Sequence, residues 1–366
     1  MSELLVFVGT YTERTPDGSK GIYAARFDTA TGKLAGLKGV AELQNPSWVT
    51  VSRDRRFLYA VSEVGVPDAT GKPAGLVVAY SIGSGGKLTE LNQVSSGGAD
   101  PCHLAIDRGG RTVAVANYTG GSTVSFHVGS DGRLGAASKD QHTGKGPNAQ
   151  RQESAHAHSV NFVADDRLLL SCDLGNDRVY VYRHDPPAGT IAAHQPAFVG
   201  LEPGAGPRHL AMHPSGRYVY VLTELSSHVA MFAWNASAGT LVQRQSVSTL
   251  PAGTSVENST AEIVVHPTGR YVYASNRGHD SIAAFAVDAR TGRLTLLNNT
   301  STQGSTPRNF ALDPSGRWLL AANQRSNSVV TFAIDVSTGA LKPIGASIDV
   351  PRPVCLAFVP AASPRG

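Results

Sequence analysis

The sequence predicts an all-β protein: a seven-bladed β-propeller with four antiparallel strands per blade, its ring closed by N- and C-terminal strands sharing one blade. Three observations predict it. A short turn phrase built around Gly recurs seven times along the 366 residues. A second phrase, in which a turn ending in Arg joins two β-rich runs, recurs six times in step with the first. The seventh copy of that second phrase is split between the two ends of the chain, Pro353 to Val359 matching its first strand and Leu5 to Thr10 its second. Dividing 366 residues by seven gives about 52 per repeat, close to the roughly 40–50 of known propeller blades, so residues 1–366 read as one propeller domain.

The seven turns are Thr31-Gly32-Lys33-Leu34, Gly85-Gly86-Lys87-Leu88, Asp131-Gly132-Arg133-Leu134, Ala188-Gly189-Thr190-Ile191, Ala238-Gly239-Thr240-Leu241, Thr291-Gly292-Arg293-Leu294 and Thr338-Gly339-Ala340-Leu341. A short hairpin loop needs a residue at positive φ, and Gly adopts it without steric cost. The second phrase is clearest in Pro207 to Leu222, and its closing Arg appears as Arg56, Arg111, Arg167, Arg217, Arg270 and Arg317. Each of these is followed by a strand-like run such as Phe57-Leu58-Tyr59-Ala60-Val61. A third strand, for example His228 to Trp234, precedes each Gly turn, and a fourth follows it. No stretch of helical length shows a 3.6-residue apolar period between strands, which disfavours a doubly wound sheet or an α/β barrel.

Composition narrows the function classes. The chain is 41% apolar and 16% charged, enough to bury a full core. Thirty-two Lys and Arg against 28 Asp and Glu leave a net charge of +4, but the cations are scattered singly, so nucleic acid is not an expected partner. The apolar run Leu4 to Val8 is too short for a signal-peptide core and no membrane-length apolar stretch occurs, so the expectation is a cytoplasmic chain with no membrane contact. Cys102, Cys172 and Cys355 are widely spaced and odd in number, which points to buried small hydrophobes rather than disulfides or a CxxC site. Nothing in the sequence fixes an oligomeric state.

No P-loop, dinucleotide fingerprint, HExxH helix, GxSxG elbow or EF-hand loop is present, so any catalytic groups must be gathered from several blades. In a four-stranded blade the start of the first strand and the end of the second lie at one rim. Nine residues before each closing Arg stand Ser47, Cys102, His158, Arg208, Ala261 and Arg308, expected around the central channel. The second strands end near Thr10, Glu63, Asn117, Asp173, Glu224, Asn276 and Asn323, followed closely by Tyr11, Tyr118, Arg277 and Arg325. The repeated Arg217, Arg270 and Arg317 read as fold determinants on the opposite rim. The repeated acid or amide at the strand end has a structural reading as a turn or interblade hydrogen bond, whereas Glu63 and Glu224 depart from the common Asn.

His156 and His158, two apart, share one face of an extended strand. They fit half a metal site, a general acid/base or hydrogen-bonding pair, or satisfied core histidines, and no third ligand is indicated, so no metal and no cofactor is expected. His103 and His209 are expected to pack or to support the site from behind, because His209 lies one residue past the rim position and by strand alternation should face the other way.

The phrases Val8-Gly9-Thr10-Tyr11-Thr12, Ala155-His156-Ala157-His158-Ser159, Gly206-Pro207-Arg208-His209-Leu210, Thr223-Glu224-Leu225 and Ala274 to Ile282, in this order and spacing, resemble the lactonase family of seven-bladed propellers over essentially the whole chain. That family includes propeller-type 6-phosphogluconolactonases and carboxy-cis,cis-muconate cyclases. The resemblance implies catalytic roles for His158, Arg208, Glu224 and Arg277; the blade-rim positions and the His pair add Glu63, Asn117, His156, Asn276, Asn323 and Arg325 as candidate substrate-binding residues. The expected partner is a small lactone, foremost 6-phosphogluconolactone, opened by water that Glu224 or His158 activates while arginine stabilises the oxyanion. The alternatives are a muconate-type lactonising cycloisomerase on the same residues and a metal-dependent gluconolactonase-like site from Glu63, Asn117, Asp173 and the His pair. A third is a non-enzymatic scaffold, against which stands the gathering of Arg, His and Glu, rather than an apolar patch, at the channel mouth.

Overall fold

The computed structural model describes residues 3–12, 18–68 and 71–359. Its strands form seven four-stranded antiparallel sheets. Numbered in chain order, blade 1 runs from its inner strand Pro353–Phe358 through Glu3–Thr10 and Gly21–Asp28 to the outer Lys33–Glu42. The inner strands of blades 2 to 7 are Val49–Val51, Pro101–Ile106, Ala157–Val163, Pro207–Met212, Ser259–Val265 and Pro307–Leu312. They touch one another in cyclic order, and Pro353–Phe358 contacts both Pro307–Leu312 and Val49–Val51, so the ring closes. The closing pair is antiparallel, with Val6 opposite Phe358 and Val8 opposite Leu356. No helix among the described residues is long and apolar enough to cross a membrane.

All seven turn glycines hold positive φ, between 61° at Gly239 and 84° at Gly132. A second constraint acts at Gly132, which packs on the neighbouring blade: a Cβ there would lie 2.3 Å from the Phe57 ring, and its carbonyl accepts the Tyr59 hydroxyl at 3.0 Å. The closing arginines bind across the same seams, Arg217 to the carbonyl of Ala289 at 3.1 Å and Arg317 to that of Thr29 at 3.0 Å. Their repetition is therefore structural. Apolar clusters fill each seam; Val179, Val181 and Cys172 of blade 4, for example, pack on Val219, Val221 and Phe232 of blade 5. The three cysteines are free and buried. Burial pushes the Cys172 and Cys355 thiols up to about 12, so both stay neutral.

One irregularity of the inner strands builds the channel. Pro101 pairs with Asn117 and His103 with Ala116, which leaves Cys102 as the extra residue of a bulge. The same slip leaves out His158 between Ala157 and Ser159, Arg208 between Pro207 and His209, and Arg308 between Pro307 and Asn309. A bulge sets two residues against one and re-aims their side chains. Strand alternation therefore fails where the sequence relied on it: His103 and His209 do not face away but meet edge to face in the channel, their rings 5.1 Å apart, with Trp48 4.1 Å from His103.

Candidate active site

The strand registers separate two positions that look alike in sequence. Six residues after the closing Arg, and in the equivalent place of blade 1, stand Thr10, Ser62, Asn117, Asp173, Thr223, Asn276 and Asn323. Their side chains are buried in the blades. Asn117 donates to the Ser96 carbonyl, Asn276 to that of Thr249 and Asn323 to that of Thr302, each tying its blade to the end of the preceding one. Asp173 does the same with His142, at 2.6 Å. Asn117, Asn276 and Asn323 are 0% exposed, so the structure does not bring these three expected substrate ligands to the site. Glu63 and Glu224 belong one residue further on, in a set with Tyr11, Tyr118 and Arg277 that faces the channel mouth. They depart from the Asn pattern because they occupy a different position.

Glu224 is the hub. Its Oε2 accepts Arg208 Nε at 2.9 Å and lies 3.1 Å from Arg277 Nη2, while Oε1 accepts Arg151 Nη2 at 2.6 Å. Burial raises its pKa, but the guanidinium groups of Arg277, Arg208 and Arg151 together outweigh burial and hold the carboxyl well below the usual carboxylate range. Both oxygens of this carboxylate are committed to guanidinium groups, whereas no ion pair among the described residues engages the His158 ring, which makes His158 the freer proton acceptor of the two expected from sequence. Burial, followed by Arg208, His209 and Arg308, holds the His158 imidazole well below its ordinary pKa, so the ring is neutral at pH 7. Its Nδ1 lies 3.7 Å from Cys102 Sγ. Burial also raises the Cys102 pKa well above normal, so the thiol there is no nucleophile.

The cations are incompletely satisfied. Arg208 is 2% exposed, with Nε on Glu224 and Nη1 on His209 and the Ala261 carbonyl, so Nη2 has no protein acceptor among the described residues. Arg277 donates Nη2 to the Thr260 carbonyl at 2.7 Å, but its Nε is buried without a partner. Burial, joined by Arg208 and Arg308, outweighs the pull of Glu224 and brings Arg277 down to about 10. Arg308 packs over the Tyr11 ring at 5.2 Å, and the Tyr11 hydroxyl donates to Glu63 at 3.0 Å. Four buried or half-buried guanidinium groups thus face the carboxylates Glu224 and Glu63, an excess of positive charge that an anionic ligand relieves.

Above this cluster opens a cavity of about 710 Å³ lined by Arg151, Arg277 and Arg325 together with Asn148, Asn258, Asp280, Ser305 and Thr306. His156 stacks on Tyr118 at 4.5 Å and contacts Glu153 at 3.0 Å, and the same Tyr118 meets His158 edge to face. No group of three His, Cys, Asp or Glu side chains gathers as a metal site among the described residues; Asp173 and Asn117 are held in the interblade clamps instead. Sequence reasoning missed Arg151, which sits on the loop before blade 4, held by the buried Gln152 amide on Leu174 O and Asp177. It has no counterpart in other blades, so the repeat gives no signal for it. It also missed Glu262, one residue past the rim position Ala261. Burial, against Ile263 N–H, Arg208 and His103, pushes the Glu262 carboxyl up to about 7.

The fold and site together define a seven-bladed propeller with an arginine-rich, histidine-flanked pocket at one mouth. The chain belongs to the lactonase family of seven-bladed β-propellers, whose model matches residues 5–358. It is 38% identical to a 6-phosphogluconolactonase of Bacillus subtilis, over 98% of this chain and 99% of that one. With a 6-phosphogluconolactonase of Formosa agariphila it shares 35% identity, over 84% of this chain and 86% of the relative. Among solved structures, a periplasmic gluconolactonase of Pseudomonas aeruginosa superposes with a TM-score of 0.90 at 35% identity, covering 98% of this chain and 99% of that one.

Proposed function

We propose that the chain hydrolyses a sugar-acid lactone, 6-phosphogluconolactone foremost, by direct attack of water on the ring carbonyl. The observation that carries the reading is that Arg208 and Arg277 share one oxygen of Glu224, at 2.9 and 3.1 Å, within a cluster whose Arg208 charge reaches the neutral ring of His158. His158 accepts the water proton as the C–O bond forms, and the charge that develops on the carbonyl oxygen falls to Arg208 and Arg277. The tetrahedral intermediate then collapses, the ring C–O bond breaks, and the leaving alkoxide takes the proton back from His158. Glu224 orients the arginines rather than acting as base. The cationic cavity wall at Arg151 and Arg325 suits a phosphate on the far end of the sugar. A phosphorylated lactone is a charged intracellular metabolite, so a cytoplasmic location goes with this reading.

The test is proton release from a panel of phosphorylated and plain sugar lactones, corrected for spontaneous opening. The phosphorylated six-carbon lactone should give the highest kcat/KM. No acceleration on any member of the panel would remove the reading.

A further inference from the structure

Beneath the arginine cluster a row of side chains runs in hydrogen-bond contact across four blades, and the strand repeat does not account for it. The Leu356 N–H donates to Asn309 Oδ1 at 2.9 Å, and Asn309 Nδ2 donates to Glu262 Oε2 at 2.6 Å. Glu262 Oε1 lies 3.1 Å from His209 Nδ1, and His209 Nε2 lies 3.0 Å from Arg208 Nη1. Both ends of the row, a backbone N–H and a guanidinium, can only donate. The directions in between follow. Arg208 Nη1 must donate to His209 Nε2, so the ring proton sits on Nδ1 and points at Glu262. From the other end Asn309 turns its oxygen to Leu356 and its amide N–H to Glu262. Glu262 therefore accepts on both oxygens, which a carboxylate can do and an amide cannot without setting donor against donor. Burial, then Arg208 and Arg308, keeps the His209 imidazole far below its ordinary pKa, in the neutral form that this row requires.

We propose that His209, with its Nδ1–H tautomer dictated by Glu262, is the positioning residue that fixes the Arg208 guanidinium so that Nη2 is presented to the substrate. A guanidinium is planar, so contacts on Nε and Nη1 from Glu224, Ala261 and His209 determine where Nη2 points. The inference rests on the lactone-hydrolysis reading for its effect on rate and on the hydrogen-bond row alone for its tautomer.

Two measurements test it separately. On the best lactone, His209→Leu should lose about 10–100-fold in kcat with KM within about threefold, the size of effect that a guanidinium misplaced by about 1 Å produces. His209→Gln, whose oxygen can accept from Arg208 and whose amide can donate to Glu262, should recover most of it. Equal rates for wild type and His209→Leu, or no rescue by Gln, would overturn the positioning role. A wild type that opens no lactone would instead bring down the functional reading. Independently of activity, imidazole 15N spectra of the wild type should show His209 protonated on Nδ1 with Nε2 as a bare acceptor, and Glu262→Gln should alter that pattern. An Nε2–H tautomer or an imidazolium at pH 7 would overturn the row whatever the rates.

Discussion

Replacing Glu224 with Gln keeps the side-chain volume but removes the one negative charge shared by Arg151, Arg208 and Arg277 at 2.6, 2.9 and 3.1 Å. Arg208 is buried and Arg277 mostly so, with side chains 2% and 14% exposed, so water replaces the lost carboxylate only poorly. Breaking a buried pair from one side costs about 3–5 kcal/mol. Taking roughly 2.1 cal/mol/K of unfolding entropy per residue over the chain, that is a fall in Tm of about 4–6 °C. The pH dependence has a definite sign. The Glu224 pKa is depressed on folding, so its stabilisation is complete above the ordinary value of 4.5 and is lost as the pH falls below it. The Tm gap between wild type and Glu224→Gln should accordingly be widest near pH 6 and narrow towards pH 3. Calorimetry at several pH values reads this directly. A variant melting within 1 °C of wild type at pH 6, or a gap that widens on acidification, would refute the claim that Glu224 is an ionised hub.

Asn276→Ala should cost about 1–3 kcal/mol, because it removes the acceptor of the Thr249 hydroxyl and the Asn258 amide and one of the two donors to the buried Thr249 carbonyl, while kcat stays within about twofold; a large loss of kcat at unchanged Tm would return Asn276 to the substrate site. Deleting everything after Val350 removes the inner strand of blade 1 and exposes the edge of Glu3–Thr10, so the truncated chain should aggregate or melt earlier. A truncation that stays monomeric with unchanged melting would contradict closure by the termini. The rate should rise with pH through about 7 as Glu262 ionises and becomes a full acceptor for His209; the carboxyl is faced by Arg208 and His209 of blade 5, His103 of blade 3, Asn309 of blade 7 and Cys355 of blade 1. A kcat profile flat from pH 6 to 8 would count against it.

What the sequence makes legible is whatever repeats. Seven Gly turns and six closing arginines carry the blade count, the ring closure and the placement of His158 and Arg208 at the channel. The repeat also conceals. Glu63 and Glu224 read as variants of the Asn position because one residue of offset is invisible without strand pairing, and Asn117, Asn276 and Asn323 read as ligands for the same reason. His209 was expected to face away because alternation holds in a regular strand, and a bulge at Arg208 breaks it. Arg151 lies on a loop found once in the chain, so only the fold brings it to Glu224.

Held by Glu224 and His209, Arg208 is proposed to bind an anion through Nη2 rather than to serve as a packing residue. Arg208→Lys retains the charge but loses the planar fork. Measured on the best lactone by proton release, it should lower kcat by roughly 10²-fold or more, the size seen when one oxyanion donor is lost. Tm measured alongside should fall far less than in Glu224→Gln, because an ammonium still opposes the buried carboxylate. An Arg208→Lys enzyme with wild-type turnover and substrate preference would contradict the claim.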